Sequence, residues 1–437
     1  MTLSKNTWLT VSAAALLGAC AHGSKSTQAE PSLPAGPSLP APDPSHDVRN
    51  YSQVIGWPQG RTPTAPEGFT VTRFADGLIN PRWLYVLPNG DVLVAEANTE
   101  PKNQKALADA LKSGKAGSQY LGESANRITL LRDANGDGTP EVREAFLEKL
   151  HQPFGMLLLK DRFYVANTDG VWRYPYQAGQ TSIQAPGEKL LALPAGGYNN
   201  HWTRNLLANE DGSRIYVSVG SASNLAEHGM DEERRRANIL EINPDGGGER
   251  VFASGLRNPV GMGWAPGTRT LWTVVNERDY LGDDLVPDYL TSVQEGGFYG
   301  WPYAYFGAHE DPRLAGKRPD LVARTLVPDV GLGPHTASLG LAFYTGEAFP
   351  SKYRHGAFIG QHGSWNRSEL SGYKVVFVPF TDGRPSGAPE DFLTGFVANR
   401  EKSEVYGRPV GLAVLPDGSL LVADDSSNTV WRVAVRR

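Results

Sequence analysis

The sequence holds a single cysteine, Cys20, in 437 residues. Its place in an N-terminal segment leaves the rest of the chain without a thiol, which excludes an intrachain disulfide there. Positive charge is nowhere concentrated. The 42 Lys and Arg are outnumbered by 47 Asp and Glu, for a net charge of −5. Nucleic-acid binding is disfavoured, because a phosphate backbone demands clustered cations. Outside the N-terminus no apolar run reaches the roughly 18 residues of a transmembrane helix. Neither a P-loop nor a GxGxxG motif occurs, which argues against a nucleotide ligand. What is present points elsewhere. Hydrophobic residues make up 40% of the chain, enough for a large core. The 49 glycines and 32 prolines demand many turns, hence many short strands rather than a helical bundle.

Residues 1–20 read as a lipoprotein-type signal peptide. Lys5 supplies a positive charge and an apolar stretch runs from Trp8 to Leu17. Leu17-Gly18-Ala19-Cys20 resembles a bacterial lipobox, with Cys20 as the lipidation site. The alternative is an ordinary signal cut near Ala21 or His22. The expected location is the periplasmic side of a bacterial membrane or the cell surface, lipid-anchored in the first case and secreted in the second. Residues 21–64 read as a Pro-rich flexible tether. Six prolines fall between Pro31 and Pro44 among Ala, Ser and Gly, a composition that buries too little apolar surface to order itself.

From residue 65 to 437 one unit recurs. It has a Pro/Gly start, an apolar segment, an Asx/Pro/Gly turn and an alternating β segment. The clearest copies are 81–96 (PRWLYVLPNGDVLVAE) and 409–424 (PVGLAVLPDGSLLVAD). Weaker ones span 153–167, 201–221, 259–276 and 336–361. Most are followed by another alternating strand, at 128–131, 171–174, 239–242, 373–378 and 430–433. Such units, roughly 50–75 residues apart, are how a propeller blade reads. The expected fold is all-β, a six-bladed β-propeller with long insert loops on the channel face, at 98–125, 279–307 and 310–334. The alternating segment 69–74 precedes the first copy and is expected to complete the last blade. A sandwich is the rival, but it rarely exceeds ~250 residues as one domain.

One segment carries calcium-loop spacing. Asp133, Asn135 and Asp137 alternate, Gly138 follows at the bend, and Glu144 completes a twelve-residue oxygen set. A structural calcium loop is expected there, with a plain Asx/Gly hairpin turn as the alternative. Blade starts face the channel of a propeller, and several carry arginine: Arg82, Arg204, Arg257 and Arg408, with Arg367 in an adjoining cluster. Convergent arginines are costly unless a polyanion sits among them, so a small tricarboxylate is the expected ligand. His201 is the candidate base, flanked by Asn200 and Arg204, because neutral imidazole titrates near working pH. His335 and His362 are its rivals. Trp202, Trp301 and Trp365 are candidates to stack on a planar ligand.

These segments resemble the soluble quinoprotein sugar dehydrogenases, in particular the sorbosone dehydrogenase branch. The resemblance spans about residues 65–435. Its most specific pieces are His201-Trp202-Thr203-Arg204-Asn205, Gly255-Leu256-Arg257-Asn258-Pro259, Asn276-Glu277-Arg278-Asp279, Gly297-Phe298-Tyr299-Gly300-Trp301-Pro302 and His362-Gly363-Ser364-Trp365-Asn366-Arg367. It implies a six-bladed propeller that holds pyrroloquinoline quinone (PQQ) and calcium at the channel mouth. It also implies oxidation of the anomeric carbon of an aldose or related sugar, with electrons leaving to an acceptor in the cell envelope. By position it makes His201 the general base and Arg257 the group that stabilises charge on a quinone oxygen. Asn258, Arg204, Thr336, Arg367 and Arg408 become cofactor contacts, Arg408 as a carboxylate clamp. The backbone carbonyls of Arg278 and Asp279 become the calcium site of the cofactor. Two departures stand out: Asn200 replaces the Asp before the base in the best-known glucose-oxidising relatives, and Arg278-Asp279 replaces their Gly-Pro. The rival functions are a calcium-dependent lactonase on a similar propeller and a non-enzymatic binding propeller.

Overall fold

The computed structural model describes residues 38–118 and 121–436. The signal peptide, Cys20 and residues 21–37 lie outside the described residues. Six four-stranded antiparallel sheets account for most of the fold. The first holds Pro81–Val86, Val92–Glu96, Arg127–Arg132 and Val142–Leu147. The second runs through Met156–Leu159, Arg162–Asn167, Gly170–Pro175 and Glu188–Ala192. The third comprises Arg204–Ala208, Ile215–Val219, Asn238–Ile242 and Arg250–Ser254. The fourth holds Pro259–Trp264, Leu271–Val275, Pro287–Ser292 and Val330–Pro334. The fifth holds Ser338–Phe343, Ala357–Gln361, Lys374–Val378 and Glu390–Leu393. In the sixth, Pro409–Val414, Leu420–Asp424 and Thr429–Val435 are completed by Phe69–Ala75. Phe69 stands opposite Val435, so the chain's two ends close one sheet, as the alternation at 69–74 predicts.

The second strand of five of these sheets is buried at every residue, as in Val92–Glu96 and Leu420–Asp424. Burial on both faces means that each sheet is covered by neighbours on either side. The neighbours follow chain order. Trp83 packs on Phe154 with ring centroids 4.7 Å apart. The Gly155 amide donates to Arg204 O at 2.9 Å, and Asn205 Nδ2 donates to Val260 O at 2.9 Å. A Cβ on Gly261 would stand 2.6 Å from Leu341 N, one on Gly340 1.9 Å from Val410 O, and one on Gly411 2.7 Å from Arg82 O. Only glycine lets the first strands of adjacent sheets approach this closely. The sixth sheet thus meets the first, and the six form a closed ring.

Two regions depart from the sequence reading. Pro287–Ser292 and Val330–Pro334, assigned above to inserts, are the outer half of the fourth sheet. The residues between those two strands, 293–329, hide the pairing from any local pattern. Residues 38–64, expected as tether, lie against the domain. Gln53–Val54 pairs in parallel with Glu404–Val405, and Trp57 Nε1 donates to the buried Asp424 carboxylate at 2.8 Å. Trp57, packed edge-on against Phe396 and Trp431 and tilted against Tyr406, supplies the apolar area that a pure Pro/Ala/Ser tether lacks. The insert 98–125 folds into the helix Gln104–Ser113, capped by the Asn103 side chain at its start and by left-handed Gly114 at its end, and a short helix, Lys115–Ser118. Among the described residues no helix is long and apolar enough to cross a membrane.

Candidate active site

The first strands begin at one end of the ring, and the residues at those starts meet there. Arg82 lies over the Trp202 ring, 5.5 Å from guanidinium carbon to centroid, and pairs with Asp425. Asp425 also accepts from His362 Nε2 at 2.8 Å, and the His362 carbonyl accepts from Arg408 Nε at 2.8 Å. On the other side Arg257 reaches Asn224 Oδ1 at 2.7 Å and the carbonyl of Glu277 at 2.7 Å. Asp279 bridges Arg257 (3.6 Å) and His335 Nδ1 (3.3 Å). A Cβ on Gly220 would stand 2.3 Å from Asn258 Oδ1 and 2.6 Å from His201 Cβ, so Asn258 and His201 flank one point of the backbone.

His201 is oriented through Nδ1, which lies 2.9 Å from Ser221 O and 3.0 Å from Ser221 Oγ. A carbonyl accepts only, so Nδ1 carries the proton and Nε2 presents a lone pair. Nε2 makes no hydrogen bond among the described residues. Burial holds the imidazole well below its ordinary 6.5, and the positive charges of Arg257, Arg204 and Arg236 act in the same direction. The ring is therefore a neutral acceptor at working pH. Asn200, the residue before the candidate base, is exposed and makes only a backbone hydrogen bond, to Ala222. Ser221, not Asn200, orients the ring.

The arginines differ from the expectation of free carboxylate clamps. Arg204 is fully buried, and its guanidinium is committed to His201 O, Thr203 O, Pro194 O and Asn199 Oδ1. Burial, with Arg236 nearby, pushes it down to about 9. It braces the loop before the third sheet. Arg367 binds Asp283 O, Glu369 O and Asp284. Arg408 donates to His362 O, Gly363 O and the Ser118 carbonyl of the insert. The Thr336 hydroxyl is taken up by Asp288 at 2.9 Å. Arg82 and Arg257 instead form ion pairs within the site, with Asp425 and Asp279. These residues were legible as a converging set; their partners were not, because they are mostly main-chain carbonyls that no side-chain pattern reveals.

The acids here are unequal. Glu277 is buried, its Oε1 has no partner, and burial pushes it up to about 7. Asp288 is pushed up to about 6 by burial, against hydrogen bonds from the Glu277 and Ser338 amides. Burial works against a charged His335, yet Asp279 holds it above 6.5. His362 is pushed down to about 4 by burial and by Arg408, so it is neutral and donates to Asp425. Burial also opposes charge on Asp425, but His362, Arg82 and Arg408 hold it below the usual carboxylate range.

At the cofactor's calcium position, the Arg278 guanidinium binds the Asp279 carbonyl (2.7 Å) and the Tyr280 carbonyl (3.0 Å), and pairs with Asp311. A cation at the Asp279 carbonyl would have to displace it. The separate loop at Asp133 also differs from expectation. Asp133 accepts from the amides of Gly136, Asp137 and Gly138, and Asn135 donates to Asp137. The third acid near Asp133 and Asp137 is Glu141, not Glu144. The hairpin closes at Val142, and Glu144 stands within the strand opposite Leu130. Asp133, Asp137 and Glu141 bring carboxylate oxygens within 4.8 Å of one another, a group that could hold a metal ion.

Ser221, Asn224 and Asp425 escaped the sequence reading. A signal existed: each follows the second strand of its sheet, as Asn276 and His362 do, at the end of the ring where the first strands begin.

Fold and site together define a closed ring of six sheets with a buried, neutral histidine at the end where the first strands begin. Residues 166–375 match the family described as Glucose / Sorbosone dehydrogenase, and residues 322–436 match the TrAA12-like family. Residues 166–375 are thus similar to a glucose / sorbosone dehydrogenase domain. It is 31% identical over 120 residues to aldose sugar dehydrogenase YliI of Escherichia coli, covering 27% of this chain and 30% of that protein. It is 24% identical over 331 residues to the PQQ-dependent pyranose dehydrogenase of Coprinopsis cinerea, covering 62% and 44%. It therefore spans less than half the length of either relative. Among solved structures, the holo PQQ domain of the Coprinopsis pyranose dehydrogenase aligns with a TM-score of 0.67 at 21% identity, covering 88% of this chain and 100% of that one. The PQQ-bound aldose sugar dehydrogenase of Streptomyces coelicolor aligns at 0.55 and 17%, covering 85% and 100%. At these identities the structures speak to the fold.

Proposed function

We propose that the protein is a PQQ-dependent dehydrogenase that oxidises a carbinol carbon of an aldose or related sugar, sorbosone-like, on a six-bladed propeller whose blades are the six sheets. The observation that carries this is His201, neutral under burial and the positive charge of Arg257, fixed through Nδ1 on Ser221, with Nε2 unengaged. Two further atoms support a polar ligand at the same place. Asn258 Oδ1 and Asn224 Nδ2 are buried without a partner. Buried polar atoms in native proteins are almost always bonded, so a ligand that supplies their partners fits these residues. The quinone, when bound, supplies a two-electron acceptor for hydride.

His201 Nε2 is placed to take the hydroxyl proton as the carbon is oxidised, and Ser221 keeps the lone pair aimed. Arg257 is held by three carbonyls and two side-chain oxygens, so its guanidinium cannot reorient, and a fixed cation stabilises developing negative charge without reorganisation. Calcium at the Asp279 carbonyl is left out of this proposal, because Arg278 holds that carbonyl. The lipid anchor at Cys20 and an electron acceptor in the cell envelope belong to the same reading and rest on the sequence. The test is a screen of aldoses with added quinone and a redox dye. Aldose-dependent dye reduction that requires quinone supports the proposal, and its absence in folded protein would refute it.

A further inference from the structure

The strand arginines leave few cations free to meet a polyanion. Arg408, Arg204 and Arg278 are committed to carbonyls, Arg367 to carbonyls and Asp284, and Arg82 to Asp425. One cation beside the site has no partner. Lys115, the first residue of the short helix in the insert, makes no hydrogen bond or ion pair among the described residues. It is half-buried, and its charge is disfavoured by burial and by Arg49, with Asp279 the only acid acting to retain it. Asp279 is already shared between Arg257 and His335. A partly desolvated cation without its own anion is unfavourable and is relieved when an anion arrives.

The helix that carries Lys115 borders the site at its other end. Ser118, one turn on, gives its carbonyl to Arg408 and its hydroxyl to Ser52 at 3.1 Å. A cavity of about 660 Å³ lies against the helix, lined by Tyr51, Ser52, Ala116, Gly117 and Ser426. Gly114 and Ala116, which flank Lys115, both line it, and the lining Ser426 donates to Asp425 at 2.9 Å.

We infer that Lys115 is a ligand-binding residue of this site, whose ammonium takes a carboxylate of the bound quinone. The insert 98–125 thereby returns to the pocket a charge that the strand arginines have committed elsewhere. This rests on the quinone reading above.

The experiment titrates the full protein with PQQ, following tryptophan quenching, for the parent, Lys115→Met, Lys115→Arg and Lys112→Met. A charge-assisted contact predicts that Lys115→Met weakens binding about tenfold or more, and that Lys115→Arg recovers most of it. Lys112→Met, an exposed neighbour on the same insert, should bind like the parent. The parent's affinity should fall with salt more steeply than that of Lys115→Met. Equal affinities of parent and Lys115→Met at low salt would overturn the inference while leaving the quinone reading intact. If the folded parent binds no PQQ, both fall.

Discussion

His201 can act as a base only because its environment keeps it uncharged. Burial and three arginines hold it well below 6.5, so the base form persists as the medium is acidified. The kcat/KM profile should therefore stay flat from about pH 8 to below 6.5, where an unperturbed histidine would already have lost half its base. A fall centred at 6.5 would assign the proton to another group. His201→Ala should lower turnover about a hundredfold or more with quinone affinity nearly unchanged. Asn200→Ala should change turnover less than about twofold, because Asn200 touches neither ring nitrogen. Glu277 offers a stability test of the same electrostatics. Its pKa is raised from 4.5 to about 7. Its contribution to stability is present below about 4.5 and is lost as the pH rises through about 7. Glu277→Gln should therefore raise the melting temperature relative to the parent at pH 8, by about 2 °C or more, and much less at pH 5. At this scale the sequence identified most of the polar residues that meet, but not what each one does. Arg204, Arg408 and Thr336 stand where a clamp would, yet their donors are answered by His201, Ser118 and Asp288.

The elements were more legible than the residues. Pro-start, Asx-Gly turn and fully apolar second strand recur because each sheet must bury both faces against its neighbours while its first strand lines a narrow centre. Gly340 shows how tight that centre is, with space for a hydrogen and no more. Gly340→Ala would force its Cβ into the Val410 carbonyl, and a loss of about 3 kcal/mol or failure to fold is expected in denaturant titration. The outer half of the fourth sheet escaped because its strands are separated by 293–329, so neither shows the short-range alternation that marks a hairpin. The loop at Asp133 was legible in part: Asp133 and Asp137 meet a third acid as the spacing predicts, but it is Glu141, because Glu144 is already in the strand opposite Leu130.

For the molecule as a whole, the domain begins earlier than its repeats suggest. Trp57 and Gln53–Val54 bind the segment before residue 65 to the sixth sheet and to the strand Glu404–Val405. A chain starting at residue 65 should therefore melt several degrees below one starting at 38, since it exposes Trp431 and Phe396 and takes the Trp57 donor from the buried Asp424 carboxylate. The same segment brings Tyr51 against Trp365, stacked at 5.7 Å, beside the site. Ring, insert and N-terminal segment together enclose one polar centre with a neutral base, a fixed guanidinium and unpartnered amide atoms. The central claim is that this centre binds a quinone for sugar oxidation. It is tested most directly by a calorimetric titration of the purified protein, freed of quinone, with PQQ. The account predicts one saturable site and, on saturation, aldose-dependent reduction of a dye. Absence of binding heat in a protein that still melts cooperatively would contradict it.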